Sequence, residues 1–217
     1  VGGVDLFTLS KYERLLELSR YGLNTPAYVS FMRSEFDQFR EYTLGPGNEI
    51  APDKRVSIRF YGADDILMGT QPHLPNVSWA EAKVAIHKYL QDYNIMFDPV
   101  GCNPDHTIVC GNLQLELHSI DGFGIAIFEF RFGSGTVRHV QSRPSEHLTC
   151  NLHEFPCPPE LPGCARWQYL GLARAKAAAL KCPYWNGGIF EWSYYPYGTG
   201  WKNQPIMFWE IRKQAYR

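Results

Sequence analysis

Glu116 and His118 stand two residues apart in the alternating run NLQLELHS. On a strand they share a face, with Cβ atoms about 7 Å apart. Glu129 and Arg131 repeat the spacing in FEFRF and can lie across a hairpin from them. A histidine and a carboxylate within reach of a substrate proton can act as general acid and base. The four residues would suit a small secreted hydrolase, a nuclease or a glycan-active enzyme. The plainer reading is the solvated outer face of a strand whose other face is buried. Glu146 beside His147, and His153 beside Glu154, make no such pair, because adjacent side chains point apart.

A second group lies in EHLTCNLHEFPCPPELPGC. Cys150 and His153 have a gap that suits two zinc ligands, and Cys157 and Cys164 would complete an intracellular zinc-stabilised domain. Disulfides account for the same cysteines without the histidines. The six cysteines, Cys102, Cys110, Cys150, Cys157, Cys164 and Cys182, can pair in 15 ways. Disulfides and secretion are the expectation, with neither metal nor cofactor. The sequon Asn76-Val77-Ser78 fits a secreted glycoprotein, although Ser78 also fits a helix cap. Asp64-Asp65 falls short of a cation site. No nucleotide-loop, dinucleotide, nucleophile-elbow or metalloprotease fingerprint is present.

The third group is aromatic. In IFEWSYYPYGTGW, Phe190, Trp192 and Tyr194 alternate with Ile189, Glu191, Ser193 and Tyr195. In IMFWEIR, Ile206, Phe208 and Glu210 alternate with Met207, Trp209 and Ile211. Phe190, Trp192 and Phe208 are expected in a core. Tyr195, Tyr197, Trp201 and Trp209 are the candidates for an exposed face that stacks on a glycan or anchors a protein partner.

These groups need elements to hold them. Residues 1–53 read as a helix pair. Ser10 and Glu13 form a capping box, Leu15, Leu16 and Leu18 give apolar surface, and Gly22 ends the first helix. Thr25-Pro26 restarts a helix, with Val29, Met32, Phe36 and Phe39 on one face. LGPGNEIAPDK is a linker. The dibasic Lys54-Arg55 that follows would let residues 1–53 be a cleaved pro-segment, unless it only begins a strand.

Residues 54–217 form the second expected domain. KRVSIRFYG is a strand with Val56, Ile58 and Phe60 on one side. SWAEAKVAIHKYLQDY is a helix opened by a Ser78–Glu81 capping box, with Trp79, Ala82 and Ile86 on its apolar face. NLQLELHSIDGFGIAIFEFRFG is a hairpin turning at Asp121-Gly122. A Pro- and Cys-rich loop, an Ala-rich helix and two aromatic strands complete the chain. The predicted class is α+β: an antiparallel-rich sheet with two helices packed on one face. Its order is ferredoxin-like, the split βαβ, plus an extra strand, preceded by the N-terminal helix pair.

Composition narrows the function classes. The net charge of −1 argues against a dedicated nucleic-acid binder. No apolar run approaches the roughly 20 residues that span a bilayer. The opening residues lack a signal peptide's basic and apolar regions and would fit a mature N-terminus. The layout, cysteine-bearing α/β elements behind a dibasic pair, looks like that of secreted killer-toxin-like and effector proteins, and no motif carries a residue across. The expected function is therefore a secreted, non-enzymatic interaction protein, toxin-like or effector-like in virulence, meeting a protein or glycan through an aromatic surface. The hydrolase is the alternative.

Overall fold

The computed structural model describes residues 5–26, 28–44, 50–61, 73–89, 94–98, 107–117, 123–133, 144–161, 168–183, 185–196 and 205–213. The chain divides into two compact units, one formed by Val1–Pro26 with Pro104–Arg217 and the other by Ala27–Asn103. Each carries its own antiparallel sheet, of five and four strands respectively.

In the smaller unit the strands β1 (Val29–Phe31), β2 (Arg55–Tyr61), β3 (His73–Ser78) and β4 (Asn94–Asp98) lie in the order β1-β4-β2-β3. Val56, Ile58 and Phe60 are fully buried on one side of β2, as their alternation predicts. They pack with Phe97 of β4, with Phe39 of α2 (Phe36–Leu44) and with Trp79, Ala82 and Ile86 of α3 (Trp79–Tyr89). Ser78 caps α3: its hydroxyl accepts from the Glu81 N–H while the Glu81 carboxylate accepts from the Ser78 N–H.

Two expectations fail here. The second N-terminal helix does not start at Pro26. Residues Val29–Phe31 pair with β4, Val29 opposite Phe97, and the helix begins only at Phe36. Spacings of three and four among Val29, Met32, Phe36 and Phe39 imitate a helix face. The pairing prevails because it seats Phe31 against Phe39, ring centroids 5.0 Å apart. The strand β3 went unpredicted because it contains Pro75, which an edge strand tolerates.

The larger unit holds α1 (Lys11–Arg20), β5 (Val109–Leu117), β6 (Gly124–Phe132), β7 (Glu146–Asn151), α4 (Leu170–Ala179), β8 (Gly188–Tyr194) and β9 (Ile206–Lys213). Its sheet runs β7-β6-β5-β8-β9. The predicted hairpin is β5–β6, with Leu117 opposite Gly124; Asp121-Gly122 lies outside the described residues. Leu113, Leu115, Phe128, Phe130, Phe190, Trp192 and Phe208 fill one face, with Leu172, Ala175 and Ala179 of α4 also fully buried. Gly171 lets the helix approach closely, since a Cβ there would stand 2.6 Å from Val109 Cγ1 and 2.9 Å from Tyr194 Cδ1.

The single ferredoxin-like sheet is thus replaced by two sheets, and the helix pair at the N-terminus by one helix, a short strand and a second helix. At the expected processing pair, Arg55 is the first residue of β2, paired with Ser78.

Candidate functional site

The other face of the five-stranded sheet mixes polar side chains with Ile125, Ile127, Ile189 and Met207, and its register places one polar residue per strand in a line. Directly opposed residues of antiparallel strands point to the same face. Glu129 of β6 lies opposite His147 of β7 and opposite Asn112 of β5. Asn112 lies opposite Glu191 of β8, and Glu191 opposite Glu210 of β9. The line His147, Glu129, Asn112, Glu191, Glu210 therefore crosses the whole sheet at about 4.8 Å per strand.

Its members are tied together rather than merely solvated. Asn112 Nδ2 donates to Glu129 Oε2 at 3.0 Å. Ser145 Oγ donates to Glu129 Oε1 at 3.2 Å and lies 3.4 Å from His147 Nε2. Asn112 is buried, 7% exposed, and its Oδ1 has no hydrogen-bond partner among the described residues. A buried acceptor left open costs free energy unless a donor or cation reaches it.

Two carboxylates face each other at Glu191 and Glu210, which is unfavourable without compensation. Compensation comes from both sides. Arg212 Nε lies 3.6 Å from Glu191 Oε1. Lys11 Nζ donates to Glu210 Oε2, and Arg14 Nη2 lies 3.7 Å from Glu210 Oε1. All three residues of this last group are buried, Lys11 at 2%, Arg14 at 8% and Glu210 at 5% exposure. The two cations are there because the Ser10–Glu13 capping box starts α1 at Lys11, and Leu15 and Leu18 bury the helix in the unit that contains β9.

Of these residues, sequence spacing singles out Glu129 alone as a site. Alternation sets Glu191 on the correct face but puts Glu210 on the face of Phe208. A bulge corrects that: Trp192 pairs with Phe208 and Glu191 with Glu210, so Trp209 is the extra residue and alternation reverses across it. A usable signal was present. Glu191 and Glu210 are single acids inside strands of large apolar residues, where an acid needs a specific partner.

The other expected residues lie elsewhere. Arg131 shares the face of Glu129 two residues along β6, whereas Glu116, opposite Ile125, lies four residues of register from Glu129 and accepts from Gln114 Nε2. His118, Tyr197 and Trp201 lie outside the described residues. Tyr195 is buried, 4% exposed, and Trp209 is half-buried with its indole donating to Ser193 Oγ at 2.8 Å. Neither is an exposed platform.

Cys110, Cys150, Cys157 and Cys182 are thiols rather than disulfides, and Cys102 and Cys164 lie outside the described residues. Burial pushes the Cys110 thiol up to about 11, against the opposing pull of Arg131. Burial likewise raises Cys150, although Lys176 opposes it. Lys176, 5% exposed, spends its protons on the loop after β7. It donates to the carbonyl oxygens of Asn151, at 3.2 Å, and of Glu154, with Cys150 Sγ at 3.8 Å. The stretch expected to hold zinc or disulfides is thus held by a lysine. Among the described residues no three His, Cys, Asp or Glu side chains stand together as a metal site. No described helix is long and apolar enough to cross a membrane.

The fold and the row together define a two-unit α+β protein whose larger sheet carries one line of polar residues edged by cations. No protein-family model and no curated protein matches the chain. Solved structures resemble it in outline. One is the VanG D-Ala:D-Ser ligase of Enterococcus faecalis, at TM-score 0.46 and 15% identity, covering 95% of this chain and 52% of that one. Another is N5-carboxyaminoimidazole synthetase of Staphylococcus aureus, at TM-score 0.46 and 10% identity, covering 98% and 45%. A third is a RiPP-associated ATP-grasp ligase of Chryseobacterium gregarium in complex with ADP and a leader and core peptide, at TM-score 0.41 and 13% identity, covering 99% and 55%. The chain spans about half the length of these structures, and at such scores the likeness is one of coarse layout.

The expectation of a secreted, disulfide-bonded, toxin-like or effector-like binder with an exposed aromatic surface is overturned: its described cysteines are thiols, Tyr195 is buried and Trp209 is half-buried. The hydrolase alternative is not carried either, because Glu116 lies four residues of register from Glu129 and His118 lies outside the described residues.

Proposed function

We propose that the row on the five-stranded sheet binds a nucleoside triphosphate with its divalent cation, and that the protein uses the nucleotide to drive a ligation. One observation carries the reading: Glu129, Asn112, Glu191 and Glu210 stand in line on four adjacent strands, ending against Lys11 and Arg14. Hard divalent cations take oxygen ligands. Magnesium in particular binds through one or two carboxylates and completes its shell with phosphate oxygens and water. A face with carboxylates spaced along it, rather than a closed cage, fits that mode. The buried Asn112 Oδ1, with no hydrogen-bond partner among the described residues, is one more oxygen belonging to a residue of the row. Lys11, Arg14 and Arg212 supply the positive charge that a polyphosphate needs beside its metal.

The test is calorimetric. The full chain, titrated with ATP in magnesium and then with ADP, is expected to bind both. Glu191→Gln should weaken binding by about tenfold or more, on the order of 1.4 kcal/mol, with the fold intact by circular dichroism. A wild-type chain that binds neither nucleotide removes the proposal. A peptide or another protein as the second substrate belongs to the same proposal, and it would be sought by following ADP release with candidate acceptors.

A further inference from the structure

Away from the row, the end of β7 and the helix α4 bring a thiol and an amine together. Lys176 Nζ lies 3.8 Å from Cys150 Sγ. Both residues are largely buried, Lys176 at 5% and Cys150 at 9% exposure. We infer that this pair is a site of reversible oxidation. A peroxide converts Cys150 to a sulfenic acid, and Lys176 Nζ condenses with its sulfur to give a sulfenamide that ties β7 to α4.

The step balances with one equivalent of peroxide. The Cys150 sulfur attacks one peroxide oxygen, the O–O bond breaks, and the thiol proton leaves with the other oxygen as water. Nζ, having released one proton to solvent, attacks the same sulfur. An S–N bond forms, the S–O bond breaks, and the hydroxyl leaves with a second amine proton as water. Sulfur is oxidised by two electrons, the peroxide takes up both, and nitrogen keeps its oxidation state. The geometry supplies the reasons. The 3.8 Å gap is slightly wider than a near-attack separation of about 3–3.5 Å, and the flexible lysine stem can close it. Cys150 is the reacting thiol because it keeps some exposure, whereas Cys110 and Cys182 stand at 1% and 0%. The amine is held in place by its other bonds, to the carbonyl oxygens of Asn151, at 3.2 Å, and of Glu154. These acceptors are neutral, and Lys176 makes no ion pair among the described residues. A buried ammonium without a counter-charge is costly. Sulfenamide formation removes that charge, and the N–H that remains still serves one carbonyl. A disulfide with the half-buried Cys157 is the competing product, but the atom seated on Cys150 Sγ is Lys176 Nζ.

The experiment treats the full chain with hydrogen peroxide, blocks the remaining thiols, digests it with trypsin and reads the peptides by mass spectrometry, before and after a dithiol reductant. The expected product is the Cys150 peptide joined to the Lys176 peptide. It should be two hydrogens lighter than their sum, uncut after Lys176, and released by the dithiol. Cys157→Ser should form it as readily as wild type. Lys176→Arg keeps the charge and withdraws the amine, so oxidation should stop at a sulfenic acid that dimedone traps at Cys150. If Lys176→Arg does not fold, Cys157→Ser decides alone, since it leaves the Cys150–Lys176 contact in place. Wild type unfolded in urea should give no joined pair, because the two residues are then no longer neighbours. A Cys150–Cys157 disulfide in place of the joined pair overturns the inference. So does a sulfinic acid at Cys150 without joined peptides, an unreacted Cys150, or an equal yield from the unfolded chain.

Discussion

Gly111 is the point at which sheet and site can be perturbed together. It sits beside Asn112 in the central strand of five, opposite Phe130 of β6. A Cβ built there would lie 2.2 Å from the Glu129 carbonyl oxygen, 2.7 Å from Phe130 Cα and 2.8 Å from Phe130 Cβ. Two of these three atoms are backbone, so no rotamer change relieves the overlap and β5 must move away from β6. Overpacking of a close-fitting core costs roughly 1–3 kcal/mol, and a backbone obstacle puts Gly111→Ala at the upper end, about 3 kcal/mol. For a chain of this size that is a fall of about 6–12 °C in Tm. The Asn112–Glu129 hydrogen bond is one residue away and should lengthen, so nucleotide binding should weaken too. Gly124 is the control. A Cβ there would meet Leu152 Cδ1 at 2.2 Å and Cγ at 2.8 Å, both on a flexible side chain, and the Glu116 carbonyl oxygen at 3.2 Å, which must give by a few tenths of an ångström. Gly124→Ala should therefore cost about 1 kcal/mol or less. Urea unfolding of the two variants decides the matter: a loss below about 1 kcal/mol for Gly111→Ala, or equal losses at both sites, would refute the packing argument.

Three further outcomes are expected. Glu210→Gln leaves Lys11 and Arg14 buried without their carboxylate, so stability should fall by about 3 kcal/mol, read by denaturant titration; no loss would mean that the group is hydrated in solution. The Cys110 thiol, raised by burial from 9.0 to about 11, ionises later in the folded chain than in the unfolded one. Its contribution is complete below pH 9 and is lost as pH rises toward 11. Cys110→Ala should therefore flatten the stability–pH curve in that window by about 2–3 kcal/mol. Lys176→Met releases the Asn151 and Glu154 carbonyls, so Cys150 in the folded protein should alkylate several-fold faster than in wild type, with Cys110 unchanged.

Local features of the fold were legible because their causes are local. The capping boxes at Ser10 and Ser78 form as read, since each needs only a hydroxyl and a carboxylate three residues apart. The core faces of β2, β5, β6 and β8 carry the apolar residues that alternation assigns to them, although Val109–Leu113 of β5 and Trp192–Tyr194 of β8 are buried on both faces. Val29–Phe31 was misread because its identity as a strand depends on a partner some 65 residues away. Glu210 was assigned to the wrong face because one bulge residue inverts a period of two, and alternation alone gives no sign of where it falls. The cysteines were read as bridges on their even number, but bridging requires Cα atoms within about 7 Å, a distance no spacing rule supplies.

The helices α1 and α3 with their capped starts, and the buried faces of β2, β5, β6 and β8, were determined by the amino-acid sequence itself, through interactions over a few residues. The grouping into two sheets, and the line from His147 through Glu129, Asn112 and Glu191 to Glu210, were decided only by tertiary structure. The line draws one residue from each of five strands, from Asn112 to Glu210, and two of its cations come from a helix that starts at Lys11. Register between distant strands is selected by the burial of whole faces at once, so a site made by register has no signature within any one segment of the chain.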